Sequence, residues 1–163
     1  MISALLCEYE SMVGRKKFEL LYAIICYYRM PIYRVRVLIR WLISTNSPFM
    51  KERVANKLML KYGMEIAKNV KIGNNLKIEH FNGIVFGLGT VIGDNCTIYQ
   101  QVTLGQKNGE YPIVGNNVVI YPGAKVLGGI HVGDNAVIAP NSVVLKDVEN
   151  GAVFAGVPAK RIK

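Results

Sequence analysis

Two histidines occur in the 163 residues, and their surroundings differ. His80 stands in Ile78-Glu79-His80-Phe81-Asn82-Gly83-Ile84, with Glu79 beside it and Glu65 fifteen residues back. A neutral imidazole takes up a proton near physiological pH, and a nearby carboxylate fixes its tautomer and stabilises the imidazolium. That is the equipment of a general base acting on a hydroxyl. His131 lies in Gly128-Gly129-Ile130-His131-Val132-Gly133 and reads as a surface residue. On the residues alone, His80 reads equally as a base or as a bystander. Cys7, Cys26 and Cys96 are scattered, which suits neither a disulfide framework nor a metal site and fits a reducing compartment. A three-histidine zinc site is excluded by the histidine count, so no metal is expected.

The elements that position these residues follow from a period of six. Val114, Ile120, Val126, Val132, Ile138 and Val144 are spaced by six. Val118, Ala124, Ile130, Ala136, Ser142 and Val148 each follow four places on. Neither a helix nor an isolated strand repeats at six. A hexad repeat predicts a solenoid of short strands, each sending one aliphatic residue into a shared interior. The same beat runs through Ile66, Ile72, Ile78 and Ile84, then through Phe86, Ile92, Ile98 and Leu104. The frame therefore slips near Ile84 and again across Gly105–Ile113, where surplus residues must bulge outward. Irregular segments on a rigid scaffold are where function concentrates, and His80 lies at the first slip. Three hexads per coil give roughly four coils. Gly73, Gly87, Gly93, Gly105, Gly115 and Gly133, with the Asn and Asp residues near them, are expected at tight corners because these types tolerate positive φ.

Residues 1–62 read differently. Segments Glu8–Met12, Phe18–Tyr28, Val35–Ile43 and Val54–Leu60 have mixed apolar and charged faces and read as helical, with Gly63 as a C-cap. Two regions are expected, a basic helical one over 1–62 and the solenoid with its tail over 63–163. The net charge of +9 is concentrated in the first part. Such a basic leader points to anionic surroundings, a phosphorylated cofactor or phospholipid. No nucleic-acid motif accompanies the charge, so nucleic acid is not an expected partner. The apolar run Phe18–Tyr28 is far short of the about 20 residues a membrane span needs, and no signal peptide is evident. Residues Ile32–Ile43 alternate aliphatics with arginines around Trp41, which suits either a peripheral lipid contact or packing on a neighbouring subunit.

From Tyr62 onward the chain resembles the serine O-acetyltransferases, members of the hexapeptide-repeat acyltransferases. The resemblance rests on Ile78-Glu79-His80-Phe81-Asn82-Gly83-Ile84-Val85, Gln101-Val102-Thr103-Leu104-Gly105, Gly123-Ala124-Lys125-Val126-Leu127-Gly128, Asn141-Ser142-Val143-Val144-Leu145 and Ala155-Gly156-Val157-Pro158-Ala159, in the family's order. It implies a mainly β fold, a left-handed parallel β-helix with an α-helical N-terminal extension, assembled as a cytoplasmic homotrimer with acetyl-CoA as co-substrate. By that resemblance His80 is the general base, Glu65 its carboxylate partner and Glu79 an acceptor contact. It also implies that Thr103, Gly105, Gly123, Ala124 and Ala139 line the pantetheine groove. Lys146, Lys160 and Arg161 are candidates for the CoA phosphates, which cations would neutralise.

One motif departs from the family. The serine enzymes carry a loop ending in Arg-His-Pro, whose arginine binds the serine carboxylate, whereas this chain has Glu110-Tyr111-Pro112. A carboxylate at that position would repel an amino-acid carboxylate. A neutral hydroxylated acceptor is therefore expected. The same fold with a short basic leader resembles the acetyltransferases of capsule and exopolysaccharide assembly, similar to those of colanic acid synthesis. That resemblance implies a sugar hydroxyl as acceptor, at the inner face of the cytoplasmic membrane, with Tyr111 and Phe81 able to stack on the pyranose. Serine is the alternative.

Overall fold

The computed structural model describes residues 19–163. Its residues divide into two compact units, one ending at Val54 and one running from Ala55 to Lys163.

In the first unit, α1 spans Glu19–Arg29 and α2 spans Pro31–Ser44. Pro31 opens α2 where its missing N–H costs nothing. Ala23 of α1 packs with Tyr33 and Val37 of α2. Along α2, Val35, Arg36, Val37, Leu38 and Ile39 are all buried. Five consecutive residues cover more than one helical turn, so Val35–Ile39 is buried all round, whereas Ile43 at the end of α2 is exposed. Among the described residues no helix is long and apolar enough to cross a membrane. Glu8–Met12 and Cys7 lie outside the described residues. Helix α3, Pro48–Tyr62, begins with Met50 N–H donating to the Ser47 hydroxyl at 3.4 Å. It ends at Gly63, at φ +60°, whose N–H reaches the Met59 carbonyl at 3.1 Å.

The second unit is a three-sided parallel β-helix of about four turns. Its strands follow in rotation: β1 (Glu65–Ile66), β2 (Lys71–Ile72), β3 (Lys77–Ile78), β4 (Val85–Phe86), β5 (Val91–Ile92), β6 (Thr97–Ile98), β7 (Thr103–Gly105), β8 (Ile113–Val114), β9 (Val119–Ile120), β10 (Lys125–Leu127), β11 (His131–Val132), β12 (Val137–Ile138), β13 (Val143–Val144) and β14 (Val153–Gly156). Every third strand stacks: β1-β4-β7-β10-β13 on one side, β2-β5-β8-β11 on the second, and β3-β6-β9-β12-β14 on the third, where antiparallel β15 (Ala159–Arg161) closes the edge. The hexad aliphatics do what the period requires. Ile66, Ile78, Phe86, Ile92, Ile98, Leu104, Val114, Ile120, Val126, Val132, Ile138 and Val144 are all buried, each above the one from the previous coil. Full burial of such a side chain contributes about 1.5–3 kcal/mol, so the axial column is the main source of stability.

The corner between the second and third sides corrects the expectation about glycine. Positive φ there belongs to Asn75, Asn95, Asn117 and Asn135, not to the glycines two places earlier. Those glycines stand where the next coil comes too close for a side chain. A Cβ on Gly93 would lie 2.6 Å from the Gly115 carbonyl oxygen and 2.7 Å from the Asn116 side chain. The approach is used. The side-chain oxygens of Asp94, Asn116, Asp134 and Asn150 each accept a backbone N–H from the preceding coil, from Asn74 at 2.6 Å, Asp94 at 2.8 Å, Asn116 at 2.6 Å and Asp134 at 2.9 Å. Cys96 sits inside this corner, and burial pushes its thiol above the ordinary range.

Partners on the first side are 20, 18, 22 and 18 residues apart. Against a regular coil of 18, two residues are surplus between β3 and β4 and four between β7 and β8. These are the two frame slips.

Candidate active site

Backbone bonding identifies the surplus pair. Glu79 N–H donates to Ile98 at 3.1 Å, as Tyr99 N–H does to Ile120 and Tyr121 N–H to Ile138. Past the corner, Gln101 N–H donates to Asn82 at 2.9 Å, as Gly123 N–H does to Gln100 and Asn141 N–H to Pro122. Glu79 thus matches Tyr99, and Asn82 matches Gln100. His80 and Phe81 have no counterpart in the coils above. The chain has to push them off the column, and His80 is accordingly exposed.

Phe81 anchors this bulge. Its ring meets Tyr62, at the end of α3, edge to face, with centroids 5.7 Å apart and planes at 86°. Such pairs contribute about 0.5–1.5 kcal/mol beyond the area they bury. Gly83 N–H donates to the Gly63 carbonyl at 2.9 Å and ties the far end of the bulge to the same segment. Tyr62 therefore supports the site. Sequence reading assigned it no part, because an aromatic at a helix end gives no sign of its distant partner.

Around the imidazole the acids are placed unequally. Glu79 is half-buried and pairs with Lys77 at 2.5 Å. Glu65 is exposed on β1, in register with Val85. Among the described residues no hydrogen bond joins Glu65 to His80.

The second slip is a hairpin. Lys107 and Glu110 exchange both backbone hydrogen bonds, at 3.0 and 3.1 Å, around Asn108 (φ +55°) and Gly109 (φ +86°). Asn-Gly is the pair that a two-residue turn with both φ positive demands. The loop is seated on glycines of two coils. A Cβ on Gly87 would lie 2.6 Å from the Tyr111 ring, and one on Gly89 equally close, so the ring lies flat across both. On the coil above, Lys107 covers Gly128 and the Glu110 carboxylate covers Gly129. Tyr111 thus sits at the corner after β4, whereas His80 sits at the corner before it. The five residue steps from Asn82 to Gly87 separate the two corners by up to about 16 Å. One chain does not bring Tyr111 beside His80.

The small residues suggested for a cofactor groove are spread over the coils above. Thr103 and Gly105 lie half-buried on the first side, and Gly123 and Ala139 on the corner that carries His80 two and three coils lower. Ala124 is fully buried, with its carbonyl accepting from Thr103 N–H at 3.0 Å, so it shapes this wall from behind. Lys146 is exposed at the corner after β13, and Lys160 and Arg161 are exposed on β15. Exposed cations near a wall of small residues suit a long, thin anionic group. Among the described residues no three His, Cys, Asp or Glu side chains converge to hold a metal ion.

Residues 111–146 match the family profile described as "Bacterial transferase hexapeptide (six repeats)". The chain is 48% identical over 104 residues to a serine acetyltransferase of Helicobacter pylori strain J99, covering 61% of each chain. It is 38% identical over 126 residues to that of Synechococcus elongatus, covering 75% of this chain and 52% of the relative. A solved structure of a serine acetyltransferase in complex with CoA superposes with a TM-score of 0.76 at 32% identity, over 98% of this chain and 68% of that one. The chain spans between about half and three-fifths of the length of these curated relatives.

These similarities overturn the expectation of a sugar acceptor in polysaccharide synthesis, since the relatives are serine acetyltransferases. Within one chain the Glu110 carboxylate lies on Gly129, across the first side from His80.

Proposed function

The chain belongs to the hexapeptide-repeat, left-handed β-helix acyltransferases, and on that premise we propose that it transfers an acetyl group from acetyl-CoA to the hydroxyl of serine. The observation that carries this reading is the surplus pair His80–Phe81, an imidazole pushed out of an otherwise regular corner within the stretch shared with serine acetyltransferases. Acetyl-CoA supplies an activated acyl group as its thioester. His80 takes the proton from the serine hydroxyl as its oxygen bonds to the acyl carbon, then gives that proton to the departing thiolate. Serine leaves as its O-acetyl ester, and the imidazole ends neutral. Glu79 and Glu65 supply negative charge near the ring while it is cationic. Thr103, Gly105, Gly123 and Ala139 would border the pantetheine arm, and Lys146, Lys160 and Arg161 would meet the phosphates. The separation of Tyr111 from His80 within one chain supports a homotrimer in which one subunit's loop closes the next subunit's site. Lys107 is the loop's one cation and takes the serine carboxylate in this reading.

Purified protein with acetyl-CoA and L-serine, followed by free-thiol release, tests the proposal. Turnover on serine that His80→Ala abolishes is the expected result. Turnover on other hydroxyl acceptors with none on serine would overturn it.

A further inference from the structure

The third side carries a charged pair at the foot of its stack. Lys77 and Glu79 flank Ile78, which is fully buried, so both side chains leave the outer face of the coil that holds His80. The Lys77 ammonium lies 2.5 Å from the Glu79 carboxylate. No coil above repeats the pair. The residues stacked over Lys77 are Thr97, Val119, Val137 and Val153, and those over Glu79 are Tyr99, Tyr121 and Ala139. The stack keeps its register in those coils without such a pair. The pair stands only where the chain leaves the column to make the bulge.

Glu79 directly precedes His80, the base that meets the acceptor hydroxyl in the reading above. Serine adds two charges to that hydroxyl, a carboxylate and an α-ammonium. Lys107 takes the carboxylate in that reading. A primary ammonium calls for a carboxylate, and Glu79 is the half-buried acid next to the base. Lys77 carries the same chemical group as the α-ammonium of serine, a cationic nitrogen with three N–H donors. Its side chain is 56% exposed, against 27% for Glu79. A pair with one partner that open is screened and weak, and the flexible lysine stem can swing clear into solvent.

We propose that Lys77 is a positioning residue that holds the place of the acceptor's ammonium. In the free enzyme it sits on Glu79 and fixes that carboxylate beside His80, and it gives Glu79 up to the α-ammonium of serine. The exchange discriminates between acceptors. One that carries an ammonium replaces the ion pair it breaks, and a hydroxy acid without one replaces nothing. The proposal rests on the serine reading, which supplies the group that displaces Lys77.

Lys77→Met removes the competing cation and keeps the length of the side chain. L-serine and 3-hydroxypropanoate, the same molecule without its ammonium, are compared by calorimetry, and serine also by turnover with acetyl-CoA. Lys77→Met should tighten L-serine about two- to fivefold, the size of an exposed ion pair that no longer has to be broken, with kcat within about twofold. It should not tighten 3-hydroxypropanoate. Lys77→Arg keeps the cation and should bind serine as the wild type does. Equal tightening of both ligands would overturn the proposal, because Lys77 would then be a plain obstruction. Weaker binding of serine to Lys77→Met would overturn it too. Serine turnover by the wild type, with unaltered affinity in Lys77→Met, overturns this inference alone. No turnover of serine by the wild type overturns the serine reading and this inference with it.

Discussion

Phe81→Ala should weaken the site without melting the column. The ring is half-buried, so truncation forfeits about 1 kcal/mol of burial, roughly half the value of a fully buried phenylalanine. It also loses the edge-to-face pairing with Tyr62, about 0.5–1.5 kcal/mol. The sum is about 2 kcal/mol. His80 and Phe81 are surplus to the stack, so this loss falls on the closing of the bulge and not on the axial column. If all of it is expressed as a smaller fraction of correctly placed His80, kcat/KM falls up to about 30-fold, at 1.36 kcal/mol per decade. Phe81→Tyr preserves the ring pair and should stay within about threefold. Steady-state kinetics on serine and acetyl-CoA, with thermal unfolding by circular dichroism, give the two numbers. Native-state hydrogen exchange at Gly83, whose N–H is bonded to Gly63, should show local opening in the alanine variant alone. Unchanged kinetics would refute the anchoring argument. A fall in Tm as large as that of a core truncation would show that the bulge is part of the cooperative stack.

Gly89→Ala places a Cβ 2.6 Å from the Tyr111 ring and should displace the loop, costing about 1–3 kcal/mol and raising the KM for serine, measured by calorimetry and kinetics. Lys107→Ala should raise the KM for serine about tenfold with kcat nearly unchanged, and an unaltered KM would show that the carboxylate binds elsewhere. Asn116→Ala removes the acceptor of Asp94 N–H at an exposed corner and should lower stability by about 0.5–1.5 kcal/mol in urea unfolding, with kcat unaffected. Burial holds the Cys96 thiol above its ordinary pKa of 9.0. Above that pH the unfolded chain releases a proton that the folded chain keeps, so stability present below about pH 9 is lost as pH rises towards the folded value. Cys96→Ser should flatten that decline in unfolding measurements between pH 8 and 10.

The period of six was enough to read the architecture from the residues, because each hexad must bury one aliphatic side chain and only a coiled stack lets all of them share one interior. The frame slips were legible for the same reason, since an extra residue interrupts the beat at Ile84 and at Gly105–Ile113. His80 drew attention through its place at the first slip. The spacing of six reports only distance from the axis. It gave no means to say that Phe81 meets Tyr62, that Glu110 rests on Gly129, or that Gly87 and Gly89 are bare because Tyr111 lies across them. Those contacts join residues 19 to 24 positions apart, through side chains that leave the column.

Composition and period therefore determined that this chain winds into a three-sided stack with one imidazole expelled at a corner. Tertiary structure decided which way the expelled loops fold. A carboxylate's influence depends on distance and direction, and the bare identity of residue 110 carries neither. Coil stacking supplies both: it seats Glu110 at one edge of the first side and holds His80 at the other.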